Sequence, residues 1–224
     1  MLIQTKITHE EKTAKLRIQT NDALIKVEVN LTGRGTLTEP VMMDLCQKAQ
    51  EDFNAFVSAR EIPLGQLFGS KICAALDRQH PRDLFDVSYL LKIEGINSEV
   101  KKGFLYYLLG HSRPINELLA PNWKDQKEAL ENQFSGMTVD PFSYEDYEIT
   151  RERLLKVLRE SLTEDDKKFL LSVKSLDPDW TIYDFQTSPN VGWKLENLQK
   201  LKAVNPEKYT ALLEKLRLTL DPVV

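Results

Sequence analysis

Apolar residues alternate with polar ones only near the start of the chain, and over most of the rest they recur at helical spacing. Two runs rich in β-branched residues, at 15–20 and 24–31, flank a turn signal and predict an antiparallel hairpin. Residues 40–53 have apolar side chains at helical spacing, so we expect a helix there, followed by a short strand near 54–59.

The second half of the chain predicts only helices and loops. Apolar spacing predicts a long helix over 144–161, and Thr163 followed by Asp166 is typical of a capping box that begins the next helix. The predicted fold class is therefore α+β. It consists of a region of strands and helices at residues 1–95 and an all-helical domain at residues 96–224.

Residues 64–91 carry many charges within two consecutive apolar helices, with a proline at the joint. Lys71 and Arg78 are seven residues apart, so they project from one side of the first helix. Asp83 and Asp86 are three residues apart on the second helix and therefore share a face. The spacing predicts a corner at which two cations and two carboxylates meet above a hydrophobic floor.

This segment resembles the late motifs of the AbiEii/AbiGii family of bacterial nucleotidyltransferase toxins, which belong to the polymerase-β-like nucleotidyltransferase superfamily. The family's K-x-x-A-x-x-x-R helix, and the R-D-x-x-D helix that follows it, correspond here to Lys71, Ala74, Arg78, Arg82, Asp83 and Asp86. IKVEVN at residues 25–30 resembles the strand that bears the family's third carboxylate. Further segments match in order as far as SPNVGWKLENLQKL, so the resemblance spans about residues 15–201.

The resemblance implies transfer of a nucleotide from a nucleoside triphosphate to an acceptor, with Mg²⁺. It further implies the toxin of a toxin–antitoxin or phage-defence pair, with an antitoxin protein as partner and, in some members, tRNA as acceptor. Glu28 would be the metal or base carboxylate, Lys71 would bind phosphate, and the two aspartates would orient the nucleotide or Lys71. The catalytic candidates are Glu28, Lys71, Asp83 and Asp86, the nucleotide-binding candidates are Lys26, Lys71, Arg78 and Arg82, and the metal candidate is Glu28.

The family's signature, a Gly-Ser turn followed by an Asp-x-Asp strand, is not found upstream of Glu28, where Asp22 is the only aspartate. Two Mg²⁺ ions require several hard oxygen ligands. Set against the family, residues 1–95 would therefore be an incomplete nucleotidyltransferase-like sheet region. We expect a sequence that is N-terminally incomplete relative to the family and is inactive by itself. The alternatives are a non-catalytic protein that retains a nucleotide- or partner-binding surface, and a folded remnant of a decaying gene. An uncovered strand edge also predicts self-association through the N-terminal half, most simply as a homodimer.

Each candidate also has an ordinary structural explanation. Asp83 lies in the first turn of its helix, where the helix dipole favours a carboxylate, and Asp86 could form an ion pair with Arg82. Lys71 could extend its ammonium group past apolar neighbours into solvent. The lysine and the glutamate of IKVEVN share one face of a strand, as in a surface salt bridge.

The composition narrows the choice of partners. A net charge of −4 argues against a broad nucleic-acid footprint, so tRNA binding would need a local basic patch. The candidates for that patch are Lys71, Arg78, Arg82, Lys101 and Lys102, although scattered solvated lysines explain these residues equally well. No apolar run approaches the roughly 18 residues of a membrane span. Cys46 and Cys73 lack zinc spacing and, as reduced cysteines, fit a cytoplasmic protein.

Overall fold

The computed structural model describes residues 2–7, 14–21, 23–28, 33 and 35–221, without the side chains of residues 2–7, 14, 15 and 28. The chain divides into two compact units, Met1–Gly35 and Thr36–Val224. The first unit contains a three-stranded sheet, and the second contains a two-stranded sheet and all of the described helices. The predicted α+β class is confirmed, and most of the described chain is helical.

The first unit is an antiparallel sheet in the order β1-β2-β3. Its strands are β1 (Leu2–Ile7), β2 (Ala14–Gln19) and β3 (Leu24–Glu28). The turn between β2 and β3 is closed by Thr20, whose N–H donates to the carbonyl of Ala23 at 2.9 Å and whose hydroxyl oxygen accepts from the Ala23 N–H at 3.0 Å. The predicted hairpin is confirmed as far as Glu28, and residues 29–31 of its predicted second strand lie outside the described residues.

The second unit begins with β4 (Val41–Asp44), α1 (Gln47–Phe53) and β5 (Ser58–Glu61). The helix predicted over residues 40–53 is therefore wrong in its first half. β4 pairs antiparallel with β5, and Ser58 donates a hydrogen bond of 2.6 Å to Asp44. Pairing with another strand stabilises β4, and such pairing cannot be recognised from the spacing of apolar residues within the segment itself.

The remainder of the second unit is a bundle of helices. The helices are α2 (Leu64–Arg78), α3 (Pro81–Ile93), α4 (Ser98–Gly110), α5 (Ile115–Leu119), α6 (Lys127–Gln133), α7 (Tyr144–Ser161), α8 (Glu164–Lys174), α9 (Pro189–Val204) and α10 (Pro206–Leu220). α4 lies at the centre, packed against α2, α5 and α9, and its apolar side chains are almost completely buried. The predicted helix over 144–161 and the capping box at Thr163 are confirmed.

Glycines allow α2 to lie directly against α4. A Cβ atom on Gly69 would lie 2.2 Å from the carbonyl carbon of Gly103, and one on Gly103 would lie 2.3 Å from the carbonyl oxygen of Gly65. Such distances exclude any side chain, so backbone meets backbone at this crossing. The contact fixes the position of α2, which carries Lys71 and Arg78.

One buried apolar cluster runs continuously from α2 to α10. α2 and α3 pack on α4 and α7, so helices on both sides of residue 95 share this core. The sequence predicted a boundary near residue 95 between a nucleotidyltransferase domain and a helical domain. That assignment stays a prediction. None of the described helices combines the length and the apolarity that crossing a membrane requires.

Candidate functional site

α2 and α3 meet at a sharp corner formed by two residues with special backbone roles. Gln79 ends α2 in the left-handed conformation, with φ at 56°, and its N–H donates to the carbonyl of Ala75 at 3.0 Å. His80 caps α3, because its Nδ1 accepts a hydrogen bond of 3.2 Å from the N–H of Arg82, and Pro81 supplies the first helical residue. The chain thus turns so that cations on α2 reach carboxylates on α3.

The first ion pair joins Arg78 to Asp83. The Nη2 atom of Arg78 lies 2.7 Å from Oδ1 of Asp83. The Asp83 residue is only 6% exposed, and its Oδ2 atom has no hydrogen-bond partner among the described residues. Burying an unpaired carboxylate lowers the stability of a fold, because the charge loses its hydration. The ion pair with Arg78 offsets this loss for Asp83.

The second ion pair joins Lys71 to Asp86, with Nζ and Oδ2 separated by 2.5 Å. Both side chains are 35% exposed. Asp86 therefore pairs with Lys71, and the pair with Arg82 that the sequence also allowed is wrong. Lys71 does not simply extend into solvent, because its ammonium group is tethered to a carboxylate on the neighbouring helix.

We call Lys71, Arg78, Asp83 and Asp86 the charged corner. As the helical spacing predicts, the cations of α2 meet the carboxylates of α3, and they do so as two separate cation–carboxylate pairs. Tethered ammonium and guanidinium groups are suited to orienting phosphate oxygens, since their positions are fixed before a ligand arrives. Two cations against two anions nevertheless leave the corner with no formal net charge.

The two candidates on the N-terminal sheet belong to the other compact unit. Lys26 is exposed on β3, and its partner in the register is Arg17 on β2. The backbone of Glu28 ends β3 opposite Lys15, whereas the Glu28 side chain lies outside the described residues. Their assignment as nucleotide and metal contacts stays a prediction.

Lys101 turns out to be a structural cation. Its ammonium group lies 2.7 Å from Oδ2 of Asp166 and also donates to the carbonyl of Ser161 at 3.1 Å. Burial raises the pKa of Asp166, but hydrogen bonds from Lys101, Tyr183 and Thr163 outweigh this effect and lower the pKa overall. The Lys101 side chain therefore stabilises the packing of the helices.

A family model described as "Nucleotidyl transferase AbiEii toxin, Type IV TA system" matches residues 2–197. The chain belongs to this family. The match includes the Glu28 strand, the charged corner and most of the helical bundle. No match was found among curated proteins or among solved structures. The resemblance inferred from the motifs is thus confirmed, and membership of this toxin family implies a nucleoside triphosphate substrate and an antitoxin.

The described residues of this AbiEii-family chain do not fit a two-Mg²⁺ centre. β1 (LIQTKI) and β2 (AKLRIQ) contain no carboxylate, so Glu28 is the only acidic residue in the three-stranded sheet. Within the part of the chain that the structure describes, no three His, Cys, Asp or Glu side chains are grouped so that they could hold a metal ion. Two divalent ions need more oxygen ligands than one carboxylate supplies.

One Asp-x-Asp sequence does occur in the chain, at Asp177 and Asp179, but it lies in the loop after α8. Asp179 accepts hydrogen bonds from the Thr181 hydroxyl at 2.6 Å and the Thr181 N–H at 3.1 Å, and these bonds lower the pKa of Asp179. The pair shapes a loop and stands neither on a strand nor after a Gly-Ser turn. It is therefore not the family signature.

Sequence reasoning missed a second concentration of charge in this AbiEii-family chain. A cavity of about 750 Å³, here called the basic pocket, lies between α5, the loop after it, α7 and α10. The residues that give it its character are Arg113, Asn116, Glu117, Trp123, Lys124, Arg159 and Lys215. These residues come from distant parts of the chain and only helix packing brings them together. The adjacent Trp123 and Lys124 were the only local signal.

Proposed function

We propose that the charged corner binds and orients a nucleoside triphosphate for transfer to an acceptor such as tRNA, and that this chain by itself does not complete the transfer. The observation that carries the proposal is the pair of tethered cations, Lys71 and Arg78, at the joint between α2 and α3. The family model, which matches across this joint, supports the substrate class.

Lys71 is the residue that we expect to contact phosphate. Its ammonium group remains partly open to solvent while Asp86 fixes its position. An ammonium donates three hydrogen bonds, so one bond to Asp86 leaves two for phosphate oxygens. Arg78 is 55% exposed and is tethered to Asp83 in the same way. The aspartates thus orient the cations, and the cations orient the nucleotide.

The absence of transfer follows from the ligands that the chain supplies. Catalysis by metal ions requires hard oxygen ligands that hold the ions against their hydration, and Glu28 has no acidic neighbour in the sequences of β1 and β2. We therefore derive no catalytic step through Mg²⁺ for this chain. What remains is binding and orientation of the substrate.

Nucleotide binding is tested with Lys71→Ala. We expect ATP affinity to fall about tenfold, because the variant cannot form the charge-assisted hydrogen bond to phosphate. The melting temperature should remain nearly unchanged, since the Lys71–Asp86 pair is partly solvated. Lys168→Ala, which removes an exposed lysine from α8, is the matched control. Unchanged ATP binding by Lys71→Ala, or a large fall in its melting temperature, would assign Lys71 a purely structural role.

Catalysis is tested by incubating the chain with labelled nucleoside triphosphates, Mg²⁺ and total tRNA. We expect no incorporation of label above that of a Glu28→Ala variant, because a single carboxylate cannot organise the metal ions. Label incorporation that disappears in Glu28→Ala would show that the chain is an active transferase and would refute the second half of the proposal.

The exposed apolar surface favours a second candidate function, protein binding without catalysis. In the first unit Leu24, Ile25 and Val27 are exposed, and in the second unit the exposed apolar residues include Val41, Met42, Met43, Phe53 and Phe56. Concentrations of apolar residues on a surface mark protein–protein contacts. The predicted homodimer would use residues 1–60, and light scattering over a concentration series tests it. A monomer at every concentration would exclude self-association.

A further inference from the structure

We propose that the basic pocket binds a phosphorylated nucleotide, either free or at the end of a single strand of nucleic acid. The pocket lies in the helical bundle and uses none of the four residues of the charged corner. The proposal therefore does not depend on the function proposed for that corner.

The charge of the pocket is the first argument. Four cationic side chains and one carboxylate line it. Arg113 is neutralised, because Nη1 lies 3.1 Å from Asp77 and Nε lies 3.6 Å from Glu117. The other three cations, Lys124, Arg159 and Lys215, have no carboxylate within ion-pair distance among residues 35–221.

Backbone carbonyls hold two of these cations in place without cancelling their charge. Lys124 donates to the carbonyl of Asp77 at 3.3 Å, and Arg159 donates to the carbonyl of Leu119 at 3.2 Å. Lys215 is exposed on α10, on the opposite wall. Counted with Asp77, four cations face two carboxylates, so the surroundings of the concavity carry a net positive charge that attracts a multiply charged anion.

The aromatic and amide groups are the second argument. Trp123 lines the pocket and remains 36% exposed, while the guanidinium carbon of Arg151 lies 5.1 Å from the centre of its ring. Exposed aromatic rings beside cations are platforms on which bases stack. The Oδ1 atom of Asn116 is buried and has no hydrogen-bond partner among the described residues.

The size of the pocket is the third argument. Its volume of about 750 Å³ falls within the roughly 300–1,000 Å³ that is typical of small-molecule sites. A single chloride or sulfate ion would leave most of this space empty. Charge, ring and volume together select a ligand that contains several phosphate oxygens and a flat base.

The experiment measures binding of three probes by the full chain: inorganic triphosphate, ATP, and a fluorescein-labelled single-stranded RNA of about ten nucleotides. The test variant is the double substitution Lys124→Gln and Lys215→Gln, which changes two exposed side chains. The matched control is Lys156→Gln with Lys200→Gln, which removes the same charge from exposed positions on α7 and α9 outside the pocket. Both double variants are made in a Lys71→Gln background, so that the charged corner contributes little to the binding that is measured, and Lys71→Gln by itself reports binding at the corner.

We expect the pocket double variant to bind ATP or RNA at least about tenfold more weakly than the control double variant. For single-stranded RNA, the slope of log affinity against log salt concentration should fall by about 1.4, which is about 0.7 for each phosphate that the variant no longer neutralises. Trp123→Leu should weaken binding of ATP or RNA but not of inorganic triphosphate, because only the first two have a base to stack. Binding of ATP without RNA would identify a free nucleotide as the ligand, and binding of RNA without ATP would identify a strand end.

Three results would overturn the proposal. One is that neither ATP nor RNA binds at low salt. Another is that the pocket double variant and the control double variant bind equally well. The last is that Lys71→Gln by itself abolishes binding of ATP and RNA, which would place the nucleotide at the charged corner alone and leave the proposed function intact.

Discussion

The charged corner and the basic pocket are both rich in cations, but the cations of the two regions have different kinds of partner. In the corner each cation is matched by a carboxylate, Lys71 with Asp86 and Arg78 with Asp83. In the pocket Lys124 and Arg159 bind neutral carbonyls instead. Matched charges fix geometry and contribute to folding, whereas unmatched charges leave their electrostatic attraction available to a ligand.

The comparison shows why counting lysines and arginines along the sequence locates a binding surface poorly. Three of the five residues predicted for a basic patch, Lys71, Arg78 and Lys101, are paired with carboxylates. The other two, Arg82 and Lys102, are exposed, and the unpaired cations that line a common concavity lie elsewhere, in the basic pocket. We therefore expect substitutions at the buried Arg78–Asp83 pair and beneath the corner to affect stability, and substitutions at the more solvated Lys71 and in the pocket to affect mainly binding.

The largest loss of stability should come from Gly69→Ala, which separates α2 and its half of the corner from α4. The new Cβ would lie 2.2 Å from backbone, and relieving such a contact costs about 3 kcal/mol or more of unfolding free energy. Gly192→Ala on α9 is the control, because nothing lies within 4 Å of its Cβ position. Urea denaturation measures both variants. If the two variants were equally stable, α2 could move away from α4 without loss of stability, and the close crossing of these helices would be wrong.

The next largest effect should come from Asp166→Asn, which breaks the buried pair with Lys101. We expect a loss of about 2–3 kcal/mol at pH 7, because Lys101 keeps its charge and loses its partner. The pKa of Asp166 is lowered by folding, so its contribution is complete above the unfolded pKa near 4 and is lost as the pH falls further. The free-energy difference between the parent chain and Asp166→Asn, measured from pH 7 down to pH 3, should therefore shrink. A constant difference would contradict an ionised Asp166.

Arg78→Ala should cost less, about 1–2 kcal/mol. It leaves the buried Asp83 carboxylate without its cation, but the Arg78 side chain is itself 55% exposed, so solvent replaces part of the interaction. Arg82→Ala, an exposed neighbour in the first turn of α3, is the control and should change stability by less than about 0.5 kcal/mol. Thermal melting distinguishes the two. If Arg82→Ala proved the more damaging, the pairing of Asp83 with Arg78 would be wrong.

The smallest effect on stability should come from the pocket. Replacing Lys124 and Lys215 by Gln should change the free energy of unfolding by less than about 0.5 kcal/mol, or raise it slightly by reducing repulsion between like charges. The same double variant should show the binding defect described above. A large loss of stability would mean that these cations belong to the fold, as those of the corner do.

Local patterns predicted most of the helical bundle and the corner. The hairpin, α7 and the two helices that carry the corner follow from spacing, a capping box and one proline, all of which act within a few residues. β4 was mistaken for helix because its partner β5 lies more than a dozen residues further along the chain. The basic pocket could not be predicted, because Arg113, Arg159 and Lys215 become neighbours only through tertiary packing.

Gln79 connects the charged corner to the loop that forms one wall of the basic pocket. Its side-chain amide donates to the carbonyl of Asn122 at 2.9 Å and accepts from the N–H of Lys124 at 2.8 Å, so both ends of the amide are used. Its own carbonyl accepts a bond of 2.8 Å from the Tyr147 hydroxyl. Neither glutamate nor lysine could serve as donor and acceptor at once. Gln79, which follows Arg78, therefore holds the loop that carries Lys124 against the end of α2. A ligand that contacted both the charged corner and the basic pocket would have to span the separation that these hydrogen bonds fix.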